Sequence, residues 1–286
     1  MRHCDNRVLV LADDFTGAND AGVCLAEVGM RVEVAFDARQ QSSAQALILN
    51  SDSRALDPAN AVQRIESLLQ DAMTDGYPRW IVKKLDSTLR GNVGSELETT
   101  LRTLGCPVAV LVPAYPTAGR VTRGGKCYVN GVLLSDTEFA SDPKTPVQQA
   151  DIAALIGLQS TMKCESVTAE TLPQALAVRE KTLRVLIVDA QTDDDLDTII
   201  AVVARSKTRL LLVGSAGICE ALARHMQRYP SGPLLAVVGS MSEIAQRQIA
   251  ALGARPRVVH VEIDVQHAFT GERTFDAQAI AAAIRQ

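Results

Sequence analysis

An α/β fold built on a parallel sheet is predicted by two regularities and one break. Short unbroken runs of Val, Ile and Leu recur along the chain, and stretches with helical spacing of apolar residues separate them. Strands buried on both faces read as continuous apolar runs, and parallel strands need helical crossovers to join them. The break falls over residues 115–146, where Gly, Pro and polar residues replace the alternation. The predicted architecture is a parallel-sheet N-terminal α/β domain followed by the start of a second, incomplete α/β domain.

Taken in order, residues 7–12 (RVLVLA) form a strand, 19–30 an amphipathic helix and 31–36 a second strand. Strand 46–50 (ALILN) precedes a helix over 59–72. Strand 80–85 precedes a helix over 93–104, and 107–113 (PVAVLVP) closes this series. One hairpin, 127–134, fits inside the break. The alternation resumes with strand 185–189, helix 194–204 and strand 209–214. A last unit comprises strand 234–239, helix 242–252 and strand 258–263, with helix 276–285 after it. Gly232-Pro233 marks the boundary, giving domains over 1–231 and 232–286. The second, at about 54 residues, falls short of the ~100-residue norm.

Composition removes several classes of function. The 286 residues carry 29 Lys and Arg against 33 Asp and Glu, a net charge of −4 without a basic run, which argues against a nucleic-acid binder. Aromatics at 3% leave no stacking platform for bases. No stretch approaches the ~20 apolar residues of a membrane span. The first apolar run ends at Ala12, too soon for a signal peptide. Six cysteines and four histidines lack metal-ligand spacing, so a zinc site is not expected and the identity of any metal stays unknown. Scattered thiols of this kind suit a cytoplasmic protein.

In parallel sheets ligands bind outside the carboxyl ends of the strands. Four such ends carry polar clusters. The first strand runs into Asp13-Asp14-Phe15-Thr16-Gly17, the third into Ser51-Asp52-Ser53-Arg54 and the fourth into Lys84-Leu85-Asp86-Ser87-Thr88-Leu89-Arg90-Gly91. The fifth runs into Pro113-Ala114-Tyr115-Pro116-Thr117-Ala118-Gly119-Arg120. Guanidiniums grip carboxylates and carboxylates accept from hydroxyls, so a small, anionic, hydroxyl-rich ligand suits this edge. Each residue also has a blander role. Asp13, Asp14 or Thr16 can cap a helix, Ser87 and Thr88 can serve a turn, and Arg54 and Arg120 can be surface charges. Gly91 and Gly119 can serve turn geometry alone.

Asp13 and Asp14 are adjacent, and neighbouring side chains on an extended turn are expected to diverge, so the aspartyl-phosphatase spacing is set aside. No G-x-x-x-x-G-K-[ST] occurs, which excludes a P-loop kinase. Val213–Gly217 and Val238–Ser242 are Gly-containing turns into helices; the second is as compatible with a nucleotide phosphate as with an ordinary helix start.

ADDFTGANDAG (12–22), the SxSR turn ending at Arg54, KKLDSTLRGNVGSEL (83–97) and PAYPTAGR (113–120) together resemble the four-carbon acid sugar kinases. GKCYVNG (125–131) and TEFASDPKTP (137–146) look most like the D-threonate branch, with D-erythronate and 3-oxo-tetronate kinases as sister branches. The resemblance implies a sugar-binding N-terminal domain, a nucleotide-binding C-terminal domain, and transfer of the ATP γ-phosphate to the 4-hydroxyl of D-threonate. Carried over residue by residue, Asp14, Arg54 and the stretch Lys84, Leu85, Asp86 and Ser87 contact the acid sugar. Ser240, with Gly239 and Ser242 in the same turn, is implied to bind ATP. Asp13, Arg90 and Arg120 join the substrate site by their places at the strand ends.

Arg54 and Lys84 are expected to neutralise the acid's carboxylate. Asp14 or Asp86 orients the hydroxyls, and one of the two takes the proton as the hydroxyl attacks. Phosphoryl transfer normally also employs Mg²⁺. The Gly-Gly-Asp motif of the family's nucleotide half is not found before Gln286, so a complete acid-sugar site and an incomplete ATP site are expected. The alternatives are a D-erythronate or 3-oxo-tetronate kinase, or a non-catalytic acid-sugar-binding module; a scaffold is the remaining reading. The expected partner is a small sugar acid, with no nucleic acid and no membrane; a homodimer is compatible with the sequence.

Overall fold

The computed structural model describes residues 8–37, 42–73, 77–180, 182–227, 238 and 242–253. The chain divides into two compact units, Met1–Gly232 and Pro233–Gln286. In the first, β1 (Val8–Ala12), α1 (Phe15–Glu27), β2 (Val32–Ala35), β3 (Ala46–Asn50), α2 (Pro58–Ala72), β4 (Trp80–Lys84), α3 (Val93–Leu104) and β5 (Val108–Val112) follow one another. Then come β6 (Arg120–Arg123), β7 (Lys126–Val129), β8 (Val132–Leu133), α4 (Ile152–Gly157), β9 (Lys163–Val167) and α5 (Leu172–Ala177). The unit closes with β10 (Arg184–Val188), α6 (Asp193–Arg205), β11 (Leu210–Gly214) and α7 (Ala216–Met226). In the second unit the described element is α8 (Glu243–Gly253).

Eight strands form one parallel sheet in the order β2-β3-β1-β4-β11-β5-β10-β9. Side chains alternate across it. Val8, Val10, Val82, Val110 and Leu212 pack with α1, α5, α6 and α7 on one face, while Leu9, Leu11, Ile81, Leu111 and Val213 pack with α2, α3 and α4 on the other. Two apolar layers of this size explain why β1, β3, β4, β5 and β10 are buried along their whole length.

Three expectations need correction. The first helix begins at Phe15, not residue 19, because the Asp14 carboxylate accepts the Gly17 N–H at 2.8 Å and starts the helix inside the polar motif. The single hairpin expected over 127–134 is two strands of a three-stranded antiparallel sheet, β6-β7-β8, in which Arg120 pairs with Val129. Between residues 146 and 185, α4, β9 and α5 were not anticipated. β9 is an edge strand whose sequence, KCESV, leaves Lys163, Glu165 and Ser166 exposed, so it lacks the apolar run that marks its neighbours. The strands expected at 234–239 (apart from Val238, which is exposed) and 258–263 and the helix at 276–285 lie outside the described residues.

The described cysteines Cys24, Cys106, Cys127, Cys164 and Cys219 are free thiols. Among the described residues no helix is long and apolar enough to cross a membrane.

Candidate functional site

The strand order creates the site. Adjacent strands β3 and β1 send their helices to opposite faces, α2 to one and α1 to the other, and β4 repeats the switch by sending α3 to the α2 side. Helices that part in this way leave a crevice beyond the carboxyl ends of the strands. The loops after β1, β3 and β4 all open into it.

At its centre stands Arg54. Its Nε and Nη2 donate to Asp13 Oδ2 and Oδ1 at 2.8 and 2.9 Å, a two-bond grip that fixes the guanidinium plane. Its Nη1 lies 2.7 Å from Asp14 Oδ2 and 3.7 Å from Asp86 Oδ1. The expectation that Asp13 and Asp14 diverge is therefore overturned. Asp14 takes the extended conformation of a helix cap (φ −144°, ψ 164°), and both carboxylates converge on one cation. Burial works against the Arg54 charge, but the hydrogen bond and charge of Asp13, with Asp86 and Asp14, hold it above the ordinary guanidinium range.

Asp86 is the second node. It accepts from Arg90 Nε at 2.8 Å, Arg90 Nη2 at 3.0 Å, the Thr88 N–H at 3.2 Å and the Thr88 hydroxyl. Burial favours the neutral acid, yet the bonds from Arg90 and Thr88 and the charge of Arg54 prevail and hold Asp86 far below the usual carboxylate range. Arg90 continues outward to Asp142 Oδ2 at 3.2 Å. The backbone N–H groups of Thr145 and Lys144 draw the Asp142 carboxyl down to about 2, with Arg90 adding to the effect. Two guanidiniums are thus shared among four carboxylates, and the loop TEFASDPKTP is tied to the strand-four loop through Asp142.

The turn geometry that allows this is unusual. Leu89 takes a left-handed backbone (φ 59°) although it is fully buried, and Gly91 follows at φ 94°. A Cβ on Gly91 would stand 3.0 Å from Arg54 Cγ and 3.1 Å from the Arg54 carbonyl oxygen. The glycine therefore serves its turn and also lets the Arg54 loop approach. Non-glycine residues held at positive φ collect where the surroundings over-determine them, often at functional sites.

Lys84 differs from both arginines. It is buried, donates to the Leu85 carbonyl at 2.9 Å, and makes no ion pair among the described residues. A Cβ on Gly17 would lie 3.0 Å from Lys84 Nζ and 2.6 Å from Asp14 Oδ1, so the ammonium sits against the first turn of α1. Arg120 opens β6, donates to the Ala118 carbonyl, leaves its buried Nε without a partner, and likewise forms no ion pair among the described residues.

Other anticipated residues fall elsewhere. Leu85 is packed in the core on the α2–α3 side, and its backbone N–H is taken by the Gly214 carbonyl at 2.7 Å. Its side chain has no access to a ligand. Ser87 is half-buried in the strand-four loop. Ser242 accepts the Ala245 N–H at 3.2 Å as the start of α8; Gly239 and Ser240 lie outside the described residues. The Gly214–Gly217 turn, read as nonspecific, comes to the middle of the edge because β11 inserts between β4 and β5. There Ser215 Oγ donates to the Ala114 carbonyl at 3.1 Å. Tyr115, next to it, donates to Glu220 Oε1 at 2.8 Å, which with burial pushes the phenol up to about 12. No group of three or more acidic, imidazole or thiol side chains among the described residues is placed to hold a metal ion. The crevice carboxylates answer arginines instead, so these residues do not fit a resident cation such as Mg²⁺.

A family model described as a sugar-binding N-terminal domain matches residues 8–222. The chain is 38% identical over 268 residues to a D-threonate kinase of Salmonella typhimurium, an alignment covering 90% of this chain and 63% of that one. It is 33% identical over 278 residues to a D-erythronate kinase of Heliobacterium modesticaldum, covering 91% and 63%. A solved structure from Bordetella bronchiseptica, a domain-swapped dimer with bound citrate, superposes with a TM-score of 0.69 at 29% identity, covering 87% of this chain and 64% of that one. The chain spans about 63% of the length of these curated relatives. A match over most of the parallel-sheet unit, with relatives of this identity, places the chain in the sugar-binding N-terminal domain family of the four-carbon acid sugar kinases.

Proposed function

We propose that this chain supplies the acid-sugar-binding part of an ATP-dependent kinase that converts D-threonate to 4-phospho-D-threonate. The observation that carries the reading is the convergence of Asp13, Asp14 and Asp86 on Arg54 at a switch point of the sheet, with Lys84 ending and Arg120 following strands of the same sheet and neither forming an ion pair among the described residues. Arg54, already bound to Asp13 and Asp14, is an organiser of the site. Lys84, which is buried, and Arg120, half-buried with its Nε shut off from water, are the groups assigned to the substrate's carboxylate, since an anion satisfies a shielded cation that lacks a counterion. This shifts the carboxylate-binding role expected of Arg54 onto Arg120 and keeps it for Lys84.

Of the two candidate bases, Asp14 is the more exposed, at 25% of its side chain against 10% for Asp86. Asp86 is held ionised by Arg90, Thr88 and Arg54, which makes it a weak proton acceptor and a firm anchor. Asp14 is therefore assigned to orient the 4-hydroxyl and receive its proton, and Asp86 to hold Arg54 and Arg90 in place. ATP supplies the γ-phosphoryl group, which the 4-oxygen takes as ADP leaves. The nucleotide-binding role is assigned to the unit after Gly232, including Gly239 and Ser240. The citrate in the Bordetella structure, a hydroxylated carboxylic acid, is of the same chemical class as the proposed substrate. The dimeric state of that relative supports a homodimer here, and the free thiols support a cytoplasmic setting.

The test is calorimetric titration of the 286-residue chain with D-threonate, D-erythronate and L-threonate, paired with mass spectrometry of mixtures containing Mg-ATP. Saturable binding of D-threonate in preference to the other two is expected. Binding of none of the three acids overturns the reading, and preference for D-erythronate overturns the choice of branch.

A further inference from the structure

Below the crevice lies an ion pair that the proposed chemistry does not use. Lys83 Nζ stands 2.7 Å from Glu96 Oε2, and both side chains are shut off from solvent, at 0% and 2% exposure. Beyond this ion pair neither atom has a hydrogen-bond partner among the described residues. Glu96 spends its other oxygen on the Ser53 hydroxyl, which donates to Oε1 at 2.7 Å. Ser53 Oγ lies 2.8 Å from Ser51 Oγ, which donates to the Ala12 carbonyl at 2.8 Å. Four elements are linked: β4 by Lys83, α3 by Glu96, the loop after β3 by Ser53 and Ser51, and β1 by Ala12.

A buried ion pair is poor evidence for stability. Removing two charges from water is costly, and well-packed apolar residues often serve as well or better. What this pair does hold is Ser53, the residue before Arg54. The backbone N–H groups of Ser53 and Arg54 both donate to the Asp13 carbonyl, at 2.9 and 3.2 Å, and Asn92 Nδ2 donates to the Ser53 carbonyl at 3.1 Å. Asn92 and Glu96 both belong to the start of α3, the helix that the Asp86–Arg90 loop leads into. The same helix end therefore sets both loops that carry the crevice arginines.

We infer that Lys83, Glu96 and Ser53 form a positioning relay, in which the buried ion pair fixes Glu96 so that its free oxygen holds the Arg54 turn against Asp13 and Asp14. The inference rests on the acid-binding reading above. None of the three residues touches the substrate; they act through Arg54.

Two double variants separate positioning from mere stability. Lys83→Met/Glu96→Leu replaces the pair with apolar side chains and removes the acceptor for Ser53. Lys83→Met/Glu96→Gln keeps an amide oxygen for Ser53 in an otherwise neutral site. If the pair served stability alone, the Leu variant would match or exceed the Gln variant in both thermal midpoint and D-threonate affinity. The relay predicts that affinity follows the acceptor. The Leu variant and Ser53→Ala lose at least tenfold, and the Gln variant recovers most of that loss whatever its melting temperature. Affinity within twofold of the unmodified chain in a folded Leu variant and in Ser53→Ala overturns the relay. Crystal structures of the folded variants give a readout without ligand: Arg54 still 2.8 Å from Asp13 in the Leu variant counts against the relay, and a displaced Arg54 turn supports it. Failure of the unmodified chain to bind any four-carbon acid instead overturns the functional reading, and the Arg54 geometry then decides the relay by itself.

Discussion

Lys83 and Lys84 are neighbours in sequence and face opposite sides of the sheet: Lys83 reaches Glu96 on α3, while Lys84 lies against the first turn of α1. Strand alternation forces this, because successive Cβ atoms point to opposite faces. Both ammonium groups are buried, but among the described residues Lys83 has a carboxylate partner and Lys84 has none.

Exchange of each lysine for methionine should therefore have opposite signatures. Lys83→Met strands the Glu96 charge in the core and is expected to cost about 3–5 kcal/mol of folding stability. Lys84→Met removes a cation without an ionic partner, so stability should hold or rise while D-threonate affinity falls by at least tenfold. Chemical denaturation and calorimetry on the same preparations check both. A Lys84→Met protein that binds the acid normally removes Lys84 from the substrate site.

Asp14 has two roles that substitution can divide. Asp14→Ala removes the helix cap and should cost about 0.5–2 kcal/mol. Asp14→Asn keeps a side-chain oxygen for the Gly17 N–H, so its stability should stay close to that of the parent while phosphoryl transfer is lost. Turnover has to be read in a preparation that phosphorylates D-threonate. Full turnover by the Asn variant would show that Asp14 takes no proton.

The low pKa of Asp86 fixes the sign of a pH effect. Its folded value lies below its unfolded value of about 3.9, so its contribution is complete above that pH and is lost progressively as pH falls from there down through the folded value. Thermal midpoints should be flat near neutrality and decline below about pH 4. Asp86→Asn should be less stable at pH 7, by about 1–3 kcal/mol for the lost charged hydrogen bonds, and should show a shallower acid decline. An unchanged acid limb in the variant would mean that the Arg90 and Thr88 bonds contribute nothing to folding.

Gly91→Ala should act through Arg54. The new methyl group meets the Arg54 backbone at about 3 Å, on a backbone at φ 94° that alanine tolerates poorly. A stability loss of about 1–3 kcal/mol is expected, together with weaker acid binding. Urea midpoints and titration calorimetry measure the two effects. Normal affinity in this variant would show that the Arg54 turn need not approach so closely.

The central strands were legible because burial on both faces leaves an unmistakable apolar run; 46–50 and 93–104 match the structure at both ends. The clustering of Asp13, Asp14, Arg54, Asp86 and Arg90 was legible because parallel strands deliver their following loops to one edge. Which cation meets which anion was not. Arg54 and Lys84 look equivalent in sequence as partners for a carboxylate, and only the geometry shows that Arg54 is already engaged by Asp13 and Asp14. Glu96 gave no signal because a carboxylate at that helix position normally faces water, and its burial depends on Lys83 arriving from another strand. β9 and β6 escaped notice because edge and hairpin strands need only one apolar face.

The place of β11 has a consequence for how the chain must fold. β4 and β5 come early, yet they do not pair with each other; the slot between them is filled by Leu210–Gly214, about 100 residues later. Until that segment arrives the sheet is two separate pieces with unsatisfied inner edges, each exposed to mispairing. Closing such a distant contact makes folding slow, and on the ribosome it must wait until β11 has emerged. Any fragment that stops before β11 is expected to aggregate instead of folding, although it would contain every loop residue proposed to face the acid.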